Sequence, residues 1–281
     1  VRPPIDGSVT LVTGASSGIG EALARALAPR VGTLVLVARR AERLERLAAE
    51  LADGGGKPRV AVAACDLGDR RATDDMLSRV RSEHGAVDVL VNNAGFGDFG
   101  CFDHSDWDKV ARMIELNVVA VTHLTHRVAP AMVAKGRGGI LMISSGFGLT
   151  VLPGFAAYAA TKHFVSGLSE ALRMELAPAG VVVTQVCPGP VATEFEQHVG
   201  NFTGRRPQRI VEISAERCAR AALAAFERGR ALVVPGTAMK LLMLLAALSP
   251  RGVMRVACGP AASWLRREQE RARAALREPA G

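Results

Sequence analysis

Thr13-Gly14-Ala15-Ser16-Ser17-Gly18-Ile19-Gly20 follows one apolar run, Ser8–Thr13, and opens a segment of helical period, Ile19–Ala28. Gly14 permits a tight turn at the end of the strand. Gly18 and Gly20 let the backbone approach a pyrophosphate and let the helix pack against the strand. Ser16, Ser17 and Ile19 then stand where a helix N-terminus offers free N–H groups and the positive end of its dipole. A glycine cluster alone is an ordinary turn. Between a strand and a helix it reads as a dinucleotide cradle.

Outward from this loop, apolar runs alternate with segments rich in Ala, Leu and Arg. Thr33–Ala38, Val60–Ala64, Val87–Val91, Gly139–Ile143, Val181–Val186 and Ala231–Val234 read as further strands. Ala41–Leu51, Arg71–Glu83, a long stretch from Trp107 to Ala134, Ala156–Leu176 and Ala215–Glu227 read as helices, and Asp53-Gly-Gly-Gly56 as a loop. The strands are continuous apolar runs, as strands covered on both faces should be. The pattern predicts an α/β, doubly wound (Rossmann) sheet of about seven parallel strands with helices on both faces. Ligands of such sheets sit at the carboxyl ends of the strands, where every motif below falls.

The second strand ends Val37-Ala38-Arg39-Arg40, with no acid to bond a free ribose 2′-hydroxyl. Ala38 leaves space, and Arg39 offers a guanidinium fork suited to a 2′-phosphate, with the Ser16 hydroxyl beside it. NADP(H) is the cofactor this favours; the alternative is that Arg39 and Arg40 begin a solvated helix. Asp66 can accept from an adenine amino group with the Leu67 backbone beside it, or cap the next helix. Asn93, Ala94 and Gly95, after Asn92, suit a turn that satisfies its own backbone and lies close to a ligand.

Tyr158, the one tyrosine of the chain, stands four residues before Lys162 on one helix face. A free phenol titrates near 10, too high for a base at neutral pH. A lysine cation, joined by the charge of an oxidised nicotinamide, would lower that value. Ser145, at the end of its strand, can bond a substrate oxygen, with Ser144 the competing hydroxyl. Asn117, inside an apolar helix, needs partners: a water reaching Lys162, or a neighbouring backbone carbonyl. Pro188-Gly189-Pro190 forms a rigid turn that walls the cofactor, with Val191 beside it and Thr193 placed to bond a carboxamide.

Together these residues resemble the short-chain dehydrogenase/reductase family, from about Val9 to Val234. Its TGxxxGxG pattern is met by Thr13, Gly14, Gly18 and Gly20, its NNAG element by Asn92–Gly95, and its PG motif by Pro188-Gly189. Its Asn-Ser-Tyr-Lys set falls on Asn117, Ser145, Tyr158 and Lys162. The resemblance implies direct hydride transfer with Tyr158 as acid/base, Ser145 orienting the substrate, and Lys162 binding ribose and lowering the tyrosine pKa. It also implies a homodimer or homotetramer. The epimerase-type loop and the wider Tyr–Lys spacing of enoyl reductases are not met. A non-catalytic sensor of the same fold is the alternative class, and loss of Tyr or Lys would mark it.

The segment 194–213 reads as a substrate lid, with Gly200–Gly204 and Arg205, Arg206 and Pro207 at its tip. Phe96, Phe147, Leu152, Phe155 and Phe195, with Phe99, Phe102 and Leu149, can line an apolar pocket or pack the core. A lipophilic carbonyl or alcohol is the expected substrate class, which suits either reading of the C-terminal segment, as pocket cover or membrane contact. Residues 1–236 form the expected nucleotide-binding and catalytic domain, and 237–281 a C-terminal helical extension. Its apolar run Ala238–Leu248, followed by Arg251, Arg255, Trp264, Arg266 and Arg267, suits a pocket cover, a subunit contact, or a peripheral membrane helix over 238–267.

The formal charge is +8, and residues 249–281 hold seven Arg and three Glu, a net of +4. That balance suits an anionic cofactor or surface. No helix-turn-helix, finger or aromatic-basic platform accompanies it, so nucleic acid is not an expected partner. Cys65, Cys101, Cys187, Cys218 and Cys258 include no CxxC pair, which predicts free thiols in a reduced, cytoplasmic chain. No apolar stretch reaches the roughly 18–20 residues of a bilayer span. His123 and His126 share a helix face without a third ligand, so no metal site is expected.

Overall fold

The computed structural model describes residues 1–52, 58–195, 199–200 and 211–275. The Asp53–Gly56 loop and most of the expected lid, including its tip beyond Gly200, lie outside them. Strand β1 (Val9–Thr13) leads into helix α1 (Gly18–Leu27), followed by β2 (Thr33–Ala38), α2 (Ala41–Ala52), β3 (Arg59–Ala64), α3 (Arg70–His84) and β4 (Val89–Asn92). Then come α4 (Trp107–Ile114), α5 (Val121–Ala134), β5 (Gly138–Ile143), α6 (Ala156–Leu176) and β6 (Val181–Val186). The short strands β7 (Val191–Ala192) and β8 (Ile213–Ser214) precede α7 (Ala215–Glu227) and β9 (Leu232–Val233). Helices α8 (Thr237–Leu248) and α9 (Arg251–Ala275) close the described chain.

Seven strands form one sheet in the order β3-β2-β1-β4-β5-β6-β9, every neighbouring pair parallel. Alternation along each strand sends residues to opposite faces. Leu34 and Leu36 of β2 join Val12, Leu23 and Phe226 under α1, α2 and α7. Val35 and Val37 join Leu11, Leu90 and Met132 under α3, α5 and α6. Two apolar cores thus sandwich the sheet, which is why its strands read as unbroken apolar runs.

The strand order reverses between β1 and β4, and the crevice at their carboxyl ends is where such sheets take ligands. The glycine loop leaves β1 there, Asn93–Gly95 leaves β4, and Ser144-Ser145 leaves β5. Two features were not legible in advance. The long helix is interrupted by a π-helical turn over Glu115–Ala120. Strands β7 and β8 pair as a separate parallel ladder, Val191 with Ile213, which anchors both ends of the segment between them.

Candidate active site

The glycine loop is held from two sides. Thr13 Oγ1 donates to Val91 O at 3.0 Å and accepts from Asn93 N and Ala94 N at 2.9 and 3.0 Å. Asn93 Nδ2 donates to Thr13 O at 2.9 Å. One hydroxyl and one amide therefore lock the ends of β1 and β4 together. A Cβ on Gly20 would lie 2.2 Å from Gly14 O and 2.4 Å from Asn93 Nδ2. Gly14 adopts φ +66, and a Cβ there would meet Asn93 Nδ2 at 2.7 Å. These positions accept only glycine, and the bare backbone between them fits a bound pyrophosphate.

At the end of β2 the two arginines separate. Both are exposed, and Arg40 reaches back over the loop, with Nη2 donating to Ser16 Oγ and Ser17 Oγ, each at 3.0 Å. Arg40 Nη1 also donates to Glu194 Oε2 at 3.0 Å, and Arg43 Nη1 to Glu194 Oε1 at 2.6 Å. The two cations, Arg43 first, hold the Glu194 carboxyl below the usual carboxylate range. Arg43 and Glu194 were not singled out from the sequence. Arg43 carried a signal, since it stands in the first turn of α2 three residues after Arg40; Glu194 carried none. Asp66 Oδ1 accepts from Gly68 N at 3.0 Å and Leu67 is buried. The cap of α3 is Asp69, accepting from Ala72 N at 3.1 Å, so the capping alternative for Asp66 is set aside.

Tyr158 and Lys162 lie in the first turns of α6, both buried. Lys162 Nζ donates to Ile143 O at 3.1 Å and stands 5.9 Å from the centroid of the Tyr158 ring. Gly95 covers it closely: a Cβ there would approach Nζ to 3.5 Å. Ser145 Oγ accepts from Phe147 N at 3.2 Å, and its hydroxyl faces the Tyr158 phenol, where it favours the phenolate. Ser144 points elsewhere, donating to Lys162 O at 3.1 Å and pairing with Ser166 Oγ at 3.0 Å. Of the two hydroxyls, Ser145 is the one that meets the phenol.

Asn117 sits in the π turn. Its Nδ2 donates to Phe96 O at 2.9 Å and Thr161 Oγ1 at 3.1 Å, and its Oδ1 accepts from Phe96 N at 3.2 Å. Bonding to a backbone carbonyl is thus its observed use, and it fixes the β4–α4 loop to α6. A single π turn re-aims one side chain without ending the helix.

Burial decides the protonation of the pair. It pushes the phenol up to about 12, with the Ser145 hydrogen bond opposing, and pushes the ammonium down to about 8. Lys162 is not among the groups that shift Tyr158, so these residues alone do not produce the lowering expected from the lysine. Loss of water sets the direction, and the neighbouring ammonium directs its hydrogen bond to Ile143 O rather than to the phenol. Cys187 beside them is raised to about 11, chiefly by burial, and stays a neutral thiol.

Aromatic rings wall the phenol. Phe147 stacks on Phe155 with centroids 4.5 Å apart, and Phe155 contacts Phe99 at 4.8 Å. Phe195 lies 5.7 Å from Tyr158 on another side. Leu152 does not join them, being 43 % exposed, and Phe96 serves through its backbone. Thr193 Oγ1 donates to Val191 O and accepts from Phe195 N, each at 3.3 Å, while its methyl group lies over Gly18. Pro188 O accepts from Gly146 N at 2.7 Å, tying the turn after β6 to the loop bearing Ser145.

The C-terminal helices cover this end of the sheet. A Cβ on Gly189 would collide with Met239 of α8, and Met243 lies against Gly146. Gln269 of α9 accepts from Cys101 N at 2.6 Å, and Arg266 forms a two-pronged pair with Asp103 at 3.1 and 3.0 Å. The extension thus packs across the loops that border the site.

A doubly wound sheet with a glycine cradle at β1 and a Ser–Tyr–Lys group at the β5–α6 junction defines a nucleotide-binding oxidoreductase architecture. The short chain dehydrogenase family model matches residues 8–203, and the chain belongs to that family. It is 38 % identical over 197 residues to oxidoreductase UcpA of Escherichia coli, covering 69 % of this chain and 73 % of that one. It is also 38 % identical to the glycine betaine reductase ATRR of Emericella nidulans, where the match covers 69 % of this chain but 15 % of that protein.

Among solved structures, a short-chain dehydrogenase from Sphingobium yanoikuyae in complex with NADPH superposes with TM-score 0.76 at 34 % identity, covering 88 % of this chain and 95 % of that one. The bulky-bulky ketone specific alcohol dehydrogenase from Comamonas testosteroni gives 0.73 at 32 %, covering 88 % and 93 %. A Burkholderia phymatum relative in complex with NAD gives 0.76 at 26 %, covering 86 % and 93 %. The chain is an oxidoreductase of a family whose members are found with either nicotinamide cofactor.

Proposed function

We propose that this protein moves a hydride between NADP(H) and the carbonyl or secondary alcohol of a lipophilic substrate, with Tyr158 as general acid and base. The observation that carries the reading is the Ser145–Tyr158 hydroxyl pair, with Lys162 buried beneath Gly95 at the end of the cofactor crevice. In the direction of reduction, a phenol held near 12 remains protonated and can donate to the carbonyl oxygen as charge develops there. Ser145 Oγ donates to the same oxygen and fixes its position. Asn117 keeps the loop over Lys162 in place. In the reverse direction Tyr158 must accept a proton, and the ammonium of Lys162 favours the phenolate once the site is loaded.

The backbone from Gly14 to Gly20 would hold the pyrophosphate, Lys162 the ribose beside the nicotinamide, Asn93–Gly95 and Pro188–Thr193 the walls, and Asp66 and Leu67 the adenine. Bound nicotinamide would supply the hydride and, when oxidised, a positive charge that favours the phenolate. For the 2′-phosphate we assign Arg40 as the main ligand, supported by Ser16, Ser17 and Arg43, with exposed Arg39 flanking it. The absence of an acid at the end of β2 supports NADP(H) over NAD(H), and the rings of Phe99, Phe147, Phe155 and Phe195 support an apolar substrate. Assembly as a homodimer or homotetramer and a cytoplasmic setting belong to the same reading.

Loss of NADPH absorbance, followed over aldehydes, diketones and lipophilic ketones, tests it together with binding titrations of both cofactors. Turnover of at least one bulky ketone and tighter binding of NADPH than NADH are expected. Equal affinities would remove the cofactor assignment, and no turnover across the panel would remove the reaction.

A further inference from the structure

Helix α8 is 12 residues long, Thr237 to Leu248, and buries one narrow stripe. Met239 and Met243, one turn apart, pack against Gly189 and Gly146. Of its remaining described side chains, most are apolar and exposed. Five leucines between Leu241 and Leu248, with Val253 and Val256 at the start of α9, are 49 % (Leu242) to 79 % (Val256) exposed. Seven large aliphatic side chains along one short stretch form a patch of the kind that marks an interaction surface.

The charge around the patch selects its occupant. No Asp or Glu occurs from Arg228 to Arg267, while Lys240, Arg251 and Arg255 stand within or beside the run of exposed leucines and valines. Arg266 is engaged by Asp103. Lys240 and Arg255, both exposed, flank the leucines. A twofold contact through this face would bring those cations against their own copies with no acid to answer them. A sheet of anionic headgroups over hydrocarbon offers both the charge and the apolar phase. At about 1.5 Å per residue, α8 is roughly 18 Å long, suited to lying in a bilayer's surface. Among the described residues no helix is long and apolar enough to cross one.

We propose that the outer face of α8 and the first turns of α9 dock on an anionic membrane surface, Leu241, Leu245 and Leu248 entering the acyl boundary and Lys240 and Arg255 meeting the headgroups. Because Met239 and Met243 rest on the loops carrying Gly189 and Ser145, docking sets the reactive group one helix away from the lipid phase. The proposal stands apart from the hydride-transfer reading and is tested without activity.

The full chain is centrifuged with vesicles of phosphatidylcholine alone or mixed with phosphatidylglycerol, at low and raised salt. Wild-type protein is expected to sediment with the anionic vesicles at least about tenfold more strongly than with neutral ones, and to be released by salt. The combined Leu241→Ser, Leu245→Ser and Leu248→Ser variant should lose that binding, and so should Lys240→Glu with Arg255→Glu. Circular dichroism reads folding, and the charge variant decides if the serine variant fails to fold. No vesicle binding by wild type overturns the proposal. So does equal binding by wild type and a folded variant, or a concentration-dependent assembly that the serine variant dissolves, which would give the face to a second copy of the chain.

Discussion

At the residue scale the site is an exercise in burial against charge. Tyr158 and Lys162 are shifted in opposite directions by the same loss of water, the phenol up to about 12 and the ammonium down to about 8. This has a consequence for stability. Between about pH 8 and the ordinary lysine value of 10.5, the unfolded chain binds more protons at Lys162 than the folded one, so its contribution to stability rises with pH. Tyr158 and Cys187, raised on folding, act the other way at higher pH. Comparing wild type with Lys162→Met isolates the lysine. Chemical denaturation should show wild type gaining on the variant by up to about 3 kcal/mol as pH rises from 8 to 10.5; a difference independent of pH would contradict the burial.

Glu194 invites a second substitution. Its carboxylate bridges Arg40 and Arg43, the same guanidinium groups assigned to the 2′-phosphate, and so competes with the cofactor. Glu194→Gln should tighten NADPH binding about two- to fivefold, the modest range of a part-exposed ion pair, and leave NADH binding unchanged. Fluorescence titration reads both, and weaker NADPH binding in the variant would show the carboxylate to be a support rather than a competitor.

At the element scale, strands and helices were legible because each carried its own period. Thr33–Ala38, Ala156–Leu176, Val181–Val186 and Ala215–Glu227 fall where the sequence places them, and most other elements shift at one or both ends by a residue or two. What local pattern lacks is any record of hydrogen bonds made over long separations. The π turn at Asn117 depends on Phe96 and Thr161, and the β7–β8 pairing joins residues on either side of a long segment. Ser145 and Ser144 are equivalent in sequence; only the packing of α6 on β5 turns one toward Tyr158 and the other toward Ser166. The glycine loop is the opposite case, since its spacing states its geometry. Gly20→Ala would put a methyl group onto Gly14 O and Asn93 Nδ2, neither of which can withdraw. A loss of stability of about 1–3 kcal/mol with at least tenfold weaker nucleotide binding is expected from urea titration and NADPH titration of the same sample. Wild-type values for both would mean the α1–β1 approach is looser than described.

At the scale of the whole molecule, the fold and the family were readable from the chain, and Ser145, Tyr158 and Lys162 gather where the sequence grouped them, whereas the arrangement around them was not legible. That Arg40 turns back over the glycine loop depends on Glu194, far away in sequence, coming within its reach. That α9 straps the β4–α4 loop depends on Gln269 finding Cys101 far away in sequence. The pieces converge on one region, where cradle, phenol, ammonium and aromatic wall gather at the carboxyl edge of the sheet with two C-terminal helices over them. The decisive measurement is turnover of Tyr158→Phe, with NADPH affinity determined on the same preparation. Retained NADPH binding with kcat/KM lowered by about a thousandfold is predicted, the scale of a lost general acid. Turnover equal to wild type in that variant would contradict the account at its centre.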